Sequence, residues 1–360
     1  MAETADTLPR LHALRTLVVL VMAVGYSSTM PLGPDAREMG TVFGVQPSWL
    51  AVEVLFAISG FLALRSLHRH GSGLRLLASR ARRNLPLLML VTAVVVSIVY
   101  PALRVGEGPE AGMSVRDLAR YFLLTASCAD PGQVMPGALD DAHYACLLQG
   151  AVWTFRWGAL AYILSAVAWR IGLLRPRAVV LAGAAAGVAL HFAVHWLAAT
   201  THPELLPAAT GLRLLSAFAV GLALFHLPAP TARVAWVGTA LALGVAALNH
   251  HLLPWTPLIA LALFTACALP AFALLRGTGG AFRWTENWTP LALPLFLLNW
   301  PVAQIWLHFQ PAVTPLELVL VTLGTTVTVA VALRAHAFAQ LDRSPESPPP
   351  LSQAKSARTA

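Results

Sequence analysis

Apolar residues run in long blocks along this chain, and short clusters of proline, glycine, arginine or histidine divide them. A helix needs about 20 apolar residues to cross a bilayer, because each residue advances it about 1.5 Å through a core about 30 Å thick. Blocks of that size fall near residues 14–32, 48–67, 85–103, 151–172, 178–198, 208–227, 234–252, 256–275, 289–308 and 315–335. The pattern predicts an all-α, polytopic membrane helix bundle with about ten transmembrane helices. The first block, led by Arg15, runs on to Leu32 without an A-x-A site, so it reads as an uncleaved span. After it no repeat of period 20–50 is seen. Residues 339–360, Pro/Ser-rich and without a core-forming pattern, read as a disordered cytoplasmic tail behind a membrane unit at 1–338.

Composition supports the same class, since a chain that is 57% hydrophobic and 11% charged has too little polar surface for a soluble domain. The net charge of +8 acts through its distribution. Arg65, Arg69, Arg75, Arg80, Arg82 and Arg83 follow the second block with no acid among them, which predicts a cytoplasmic link and both termini on that side of a cytoplasmic (inner) membrane. Residues 104–150 are acid-rich, with Glu107, Glu110, Asp117, Asp130, Asp140 and Asp141, and are expected outside. Because the cations are spread over short links, membrane lipids are the expected partner and nucleic acid is not. Cys128 and Cys146 share the outer stretch, where a disulfide and two free thiols both remain open; Cys267 reads as packing.

An ionisable group at membrane depth costs a few kcal/mol and normally faces a protein-lined cavity. Arg15, Glu53, Arg156, His191, His195, Arg213 and Glu317 are such groups. Arg15 and Arg213 lie near block ends, where snorkelling explains them as well as function does. His191 and His195, four apart on one helix face, read as a hydrogen-bonded pair rather than a metal site. Arg156 stands between Trp153 and Trp157 with no acid beside it.

The order of features, VEVLFAISGFLALRSL at 52–67, SRARRNLPLL at 79–88 and AVWTFRWGALAYIL at 151–164, resembles the acyltransferase 3 family of bacterial membrane acyltransferases. Glu53 precedes Ser59-Gly60-Phe61 by six residues; Arg80 and Arg83 precede Pro86; Trp153 and Tyr162 frame the third motif. Phe218 to Gly221 is similar to the family's F-x-x-G span, and Asn299 to Pro301 to its H-x-P segment.

The resemblance implies an acyl group, usually acetyl, passing from cytoplasmic acyl-CoA to a hydroxyl of an extracytoplasmic glycan or lipid-linked sugar. Acyl-CoA is then the donor substrate rather than a resident cofactor, and polysaccharide-assembly proteins are possible partners. It assigns Arg15, Arg80 and Arg83 to the CoA phosphates, Tyr26, Arg15 and Glu53 to catalysis, and Arg156, Trp153 and Tyr162 to the substrate. Eleven residues from Arg15 return a helix to within about 20° of the same face, about 16 Å along. The family has histidine there and this chain has Tyr26; five residues after Trp153 the family has glutamate and this chain has Gly158. A phenol, with its usual pKa near 10, is a poor base near neutrality. The alternatives are displaced catalytic groups such as His143, Asp140 and Asp141, a catalytically impaired member that binds or passes a glycan or acyl donor, and a transporter using Glu53 and Glu317.

Overall fold

The computed structural model describes residues 7–33, 36–38, 40–103, 114–127, 143–144, 147–252, 255–274 and 291–341. The expectations for Cys128, Cys146, Asp140, Asp141 and the tail beyond 341 lie outside the described residues. The described chain is helical almost throughout: α1 (Thr7–Thr29), α2 (Pro47–His70), α3 (Gly73–Val94), α4 (Tyr100–Leu103), α5 (Val115–Ala126), α6 (Trp153–Arg170), α7 (Arg177–Thr200), α8 (Leu206–His226), α9 (Ala232–Leu252), α10 (Thr256–Leu274), α11 (Ala292–Phe309) and α12 (Pro315–Leu341). Among the described residues eight helical stretches are long and apolar enough to cross a membrane, which makes the chain a multi-pass, all-α membrane protein. Helix α1 offers a shorter apolar stretch, Ala13–Thr29, and α6 is not among the eight. Both still lie within the bundle, α1 against α2, α11 and α12, and α6 against α2, α3 and α8.

The basic segment after α2 departs from the expected loop. Gly71 closes α2 in the left-handed conformation, φ 64°, its N–H donating to the Leu67 carbonyl. Ser72 caps α3 by accepting from the Arg75 N–H, so the link is a two-residue turn and α3 begins at Gly73, well before residue 85. Arginine is a good helix former and nothing breaks the helix early, so charge marks neither its start nor a loop. Arg75, Arg80, Arg82 and Arg83 therefore ride on the first turns of α3.

Helices α2 and α8 meet at two glycines. A Cβ on Gly60 would strike the Phe218 carbonyl oxygen, and one on Gly221 would strike that of Ala57. Two of the motif segments, Ser59-Gly60-Phe61 and Phe218 to Gly221, are thus the two sides of one backbone contact, the close approach that small residues give membrane helices.

Contacts also define the ends of the bundle. His68 packs on Trp169 and His226, Gly73 on Ala166, and Arg175 over Trp169, so the basic links gather at one end. Among the described acids, only Glu53 lies inside a helix core. Glu38, Asp117, Glu204 and Glu317 flank helix starts away from the basic end. Glu317, in the first turn of α12, caps that helix: it accepts from the Thr314 N–H at 2.9 Å and the Thr314 hydroxyl at 2.7 Å.

Candidate functional site

A cavity of about 360 Å³ opens among α1, α2, α3, α6, α8 and α11. Arg15 of α1 and Arg80 and Arg83 of α3 line it, and its other walls are mostly apolar: Leu55, Phe56, Ile58 and Leu62 of α2, Phe155, Ala159 and Ile163 of α6, Phe218 of α8, Leu293 and Phe296 of α11. Its uncharged polar side chains are Ser59, Asn84, Thr154 and Tyr162. Three segments distant in sequence thus bring three arginines to one volume, and no Asp, Glu, His or Cys is among the described residues lining it.

Helix periodicity explains the convergence. Arg80 and Arg83, three apart, share a face of α3. On α6 the stripe Thr154, Phe155, Gly158, Ala159, Tyr162 and Ile163 repeats every four residues along one face. The Arg80 guanidinium carbon sits 5.2 Å from the Tyr162 ring centroid, a cation–π contact. Arg80 Nε is buried without a hydrogen-bond partner among the described residues. Arg15, Arg80 and Arg83 are near enough to repel one another. Mutually repelling guanidinium groups with no carboxylate among the described lining residues attract a multiply charged anion, which relieves the repulsion and can take up the Arg80 Nε–H.

The remaining sequence candidates sit elsewhere. Tyr26, on the same helix as Arg15, packs edge-on against Trp300 with ring centroids 5.5 Å apart. Trp300 in turn meets Tyr144 at 5.3 Å, donates from Nε1 to the Leu147 carbonyl at 2.9 Å, and lies against Gly150. Tyr26 is a packing aromatic at the far end of the bundle and does not line the cavity. Glu53 faces α8 instead of the cavity and pairs with Arg213 at 3.3 Å, while the Trp49 ring lies 4.7 Å from the Arg213 guanidinium. A small cavity of about 30 Å³ beside this pair is also lined by His191, whose ring is 5.9 Å from that of His195. Arg156 projects from the exposed side of α6 over the Trp157 ring at 4.9 Å, and Trp153 is half-buried against the main core. His143 is exposed beside Gly33. Asn299, at the H-x-P position, is buried and donates to the Leu295 and Phe296 carbonyls of its own helix.

Of the eight site residues read from sequence, Arg15, Arg80, Arg83 and Tyr162 come together, and Tyr26, Glu53, Trp153 and Arg156 do not join them. Sequence reasoning missed Gly158 as a wall of the cavity; the four-residue stripe on α6 was the signal that could have found it. The chain matches no family model, no curated protein and no solved structure with which it was compared.

Proposed function

We propose that this is an acyltransferase-like protein of the cytoplasmic membrane, taking acyl-CoA into the arginine-lined cavity from the basic end of the bundle. The acyl group is bound for a hydroxyl of an extracytoplasmic glycan or lipid-linked sugar, and both termini face the cytoplasm. The observation that carries the reading is the cavity itself: among the described residues, three arginines without a carboxylate, one with a buried unpartnered Nε, at the mouth of a mostly apolar chamber. Guanidinium groups bind phosphate through charge-assisted, often bidentate hydrogen bonds. CoA presents such phosphates on a long arm that ends in a thioester.

One observation favours a second reading, in which the protein binds or passes the donor without turning it over. No side chain with a pKa suited to general-base work lines the cavity among the described residues, and Tyr26 is committed to Trp300. Purified protein in lipid discs separates the two. Acetyl-CoA binding with release of free CoA thiol supports acyl transfer; binding without release supports the second reading; absence of binding removes both. Orientation is tested by single cysteines at the two ends of the bundle. A cysteine at His70 should be protected from membrane-impermeant thiol reagents in intact cells and one at Thr201 labelled; the reverse result would overturn the side assigned to the donor.

A further inference from the structure

The arginine-lined cavity opens sideways. Of its described lining residues only Arg83 and Ile163 are exposed, and they belong to α3 and α6, which pack on each other. Ile163 is 48% exposed, and Leu164 and Val167 continue the same apolar, exposed side of α6. Such a face meets lipid when the bundle stands in a bilayer. The gap between an arginine and a lipid-facing isoleucine is therefore reached from the membrane.

Depth decides which part of a lipid arrives there. From Leu85 to Leu103 the chain carries no charged residue, and at about 1.5 Å per residue that stretch matches a hydrocarbon core about 30 Å thick. Arg80 and Arg83 lie just before it, at the level of one leaflet's phosphates. Basic pockets between membrane helices at this level bind anionic lipid headgroups.

The uncharged polar lining is ordered in the same sense. Asn84 and Tyr162 stand with the arginines, Arg83 Nε donating to Asn84 Oδ1 at 3.5 Å and Arg80 lying over the Tyr162 ring. Helices α2 and α3 leave the same turn at Gly71, and by residue count Ser59 lies about 6 Å deeper than Arg80. Its hydroxyl can donate to an ester carbonyl a few bonds beyond a phosphate. Beyond Ser59 the walls are Leu55, Phe155, Gly158 and Phe296, together with Thr154, which already has a partner. A hydrocarbon chain loses no hydrogen bond there.

We infer that the cavity binds a phosphatidic acid-type lipid drawn from the bilayer. Arg15, Arg80 and Arg83 hold its phosphomonoester, Ser59 meets an ester carbonyl, one chain enters the chamber and the other leaves past Ile163. A monoester phosphate carries up to two negative charges and so offsets more of the three cations than a diester with one. The inference goes beyond the donor reading and stands without it, because it uses only the cations, the polar lining and the side opening. Lipid and CoA then compete for the same arginines.

The test uses the full chain in phosphatidylcholine discs with a trace of phosphatidic acid that carries a diazirine in one chain. Light should cross-link that chain to lining residues of α2 and α6, among them Leu55, Gly158 and Ala159. Arg80→Ala should lower the yield at least about tenfold. Arg75→Ala, an exposed position of the same helix outside the cavity, should change it far less, whereas attraction to the membrane surface alone would lower both about fivefold. Equal losses in the two variants would overturn the inference, as would cross-links confined to exposed faces such as Leu190 and Leu241. Glycerol 3-phosphate has the head without a chain and should displace the lipid poorly; displacement at matched concentration would make this a site for free phosphate and overturn the inference too. The cross-link positions need no variant, so they decide the matter if Arg80→Ala does not fold. CoA should suppress the labelling; chamber labelling that CoA leaves unchanged would count against the donor reading and leave the lipid site standing.

Discussion

The two ends of α1 share one helix face and hold opposite environments. At Arg15 the helix borders a chamber where three cations lie together, one nitrogen lacks a partner among the described residues and a neighbouring glycine leaves space. At Tyr26, eleven residues on, every gap is closed: Trp300 fills the hollow of Gly150, and Gln304 Nε2 donates to the Tyr144 and Leu147 carbonyls. Glu38 presses against Gly25. One end is open and charged, and the other is closed by packing. Equal helical phase places residues on one side of a helix, but the neighbouring helices decide what that side is for.

Substitutions at the two ends should separate stability from binding. The largest effect is expected from Tyr26→Ala, which removes the ring seated against Trp300 and should cost about 3 kcal/mol of unfolding free energy. Thermal or denaturant unfolding in detergent would show it, whereas Tyr26→Phe keeps the ring and should leave both stability and CoA binding near those of the parent. A Tyr26→Phe variant that loses turnover but keeps binding would instead give the phenol a chemical role. Arg80→Ala comes next and should act the other way. On the proposed donor reading it removes a charge-assisted phosphate contact worth about 1.5–3 kcal/mol, so CoA binding should weaken at least about tenfold. Unfolding should shift little or rise, because repulsion with Arg15 and Arg83 is relieved. Arg83 is exposed, so Arg83→Ala should weaken binding less.

Sequence revealed this division unevenly. Apolar blocks located the long helices because a bilayer imposes their length. The start of α3 was hidden because a cluster of arginines was read as a loop, although neither Arg80 nor Arg82 can stop a helix. Helix α5 was hidden inside the acid-rich stretch, yet Ser114 and Asp117 form a capping box whose residues were visible at the right spacing. Thr314 and Glu317 repeat the same signature, so Glu317 was legible as a cap. Within the site, charge was legible and absence was not. Arg15, Arg80 and Arg83 announced themselves as cations in an apolar chain, while Gly158 stood out only against the glutamate expected there. Whether a glycine is filled by a neighbour or left open depends on the facing helices, and a single sequence does not contain that.

Gly158→Ala gives a smaller and opposite change. Because the Cβ meets nothing within 4 Å, only the gain in helix propensity remains. Unfolding should require about 0.5–1 kcal/mol more than in the parent, where Gly150→Ala at the closed end should require about 1–3 kcal/mol less. Equal destabilisation by both would mean that the chamber is not open at Gly158.

The smallest effect concerns Glu38, which binds the turn before α2 to the closed end. Its carboxylate accepts from the Ser48 N–H at 2.9 Å and from the Ser48 hydroxyl, so it caps α2 from ten residues away while the side chain of Gln46, at the cap position, makes no such bond. Burial raises its pKa above the usual 4.5, and the two bonds from Ser48 oppose that rise. The folded protein therefore holds this proton more tightly than the unfolded chain does. The resulting stability is fully present below the unfolded value and is lost as pH climbs through the raised folded value. Melting temperature followed upward from about pH 4 should fall slightly more steeply in the parent than in Glu38→Gln, whose amide keeps an acceptor for Ser48 and does not titrate. The arginine-lined end should add nothing to that difference, since guanidinium groups stay charged throughout. A parent that gains stability relative to Glu38→Gln over this range would show that the Ser48 bonds outweigh burial, and that Glu38 holds the closed end as a carboxylate.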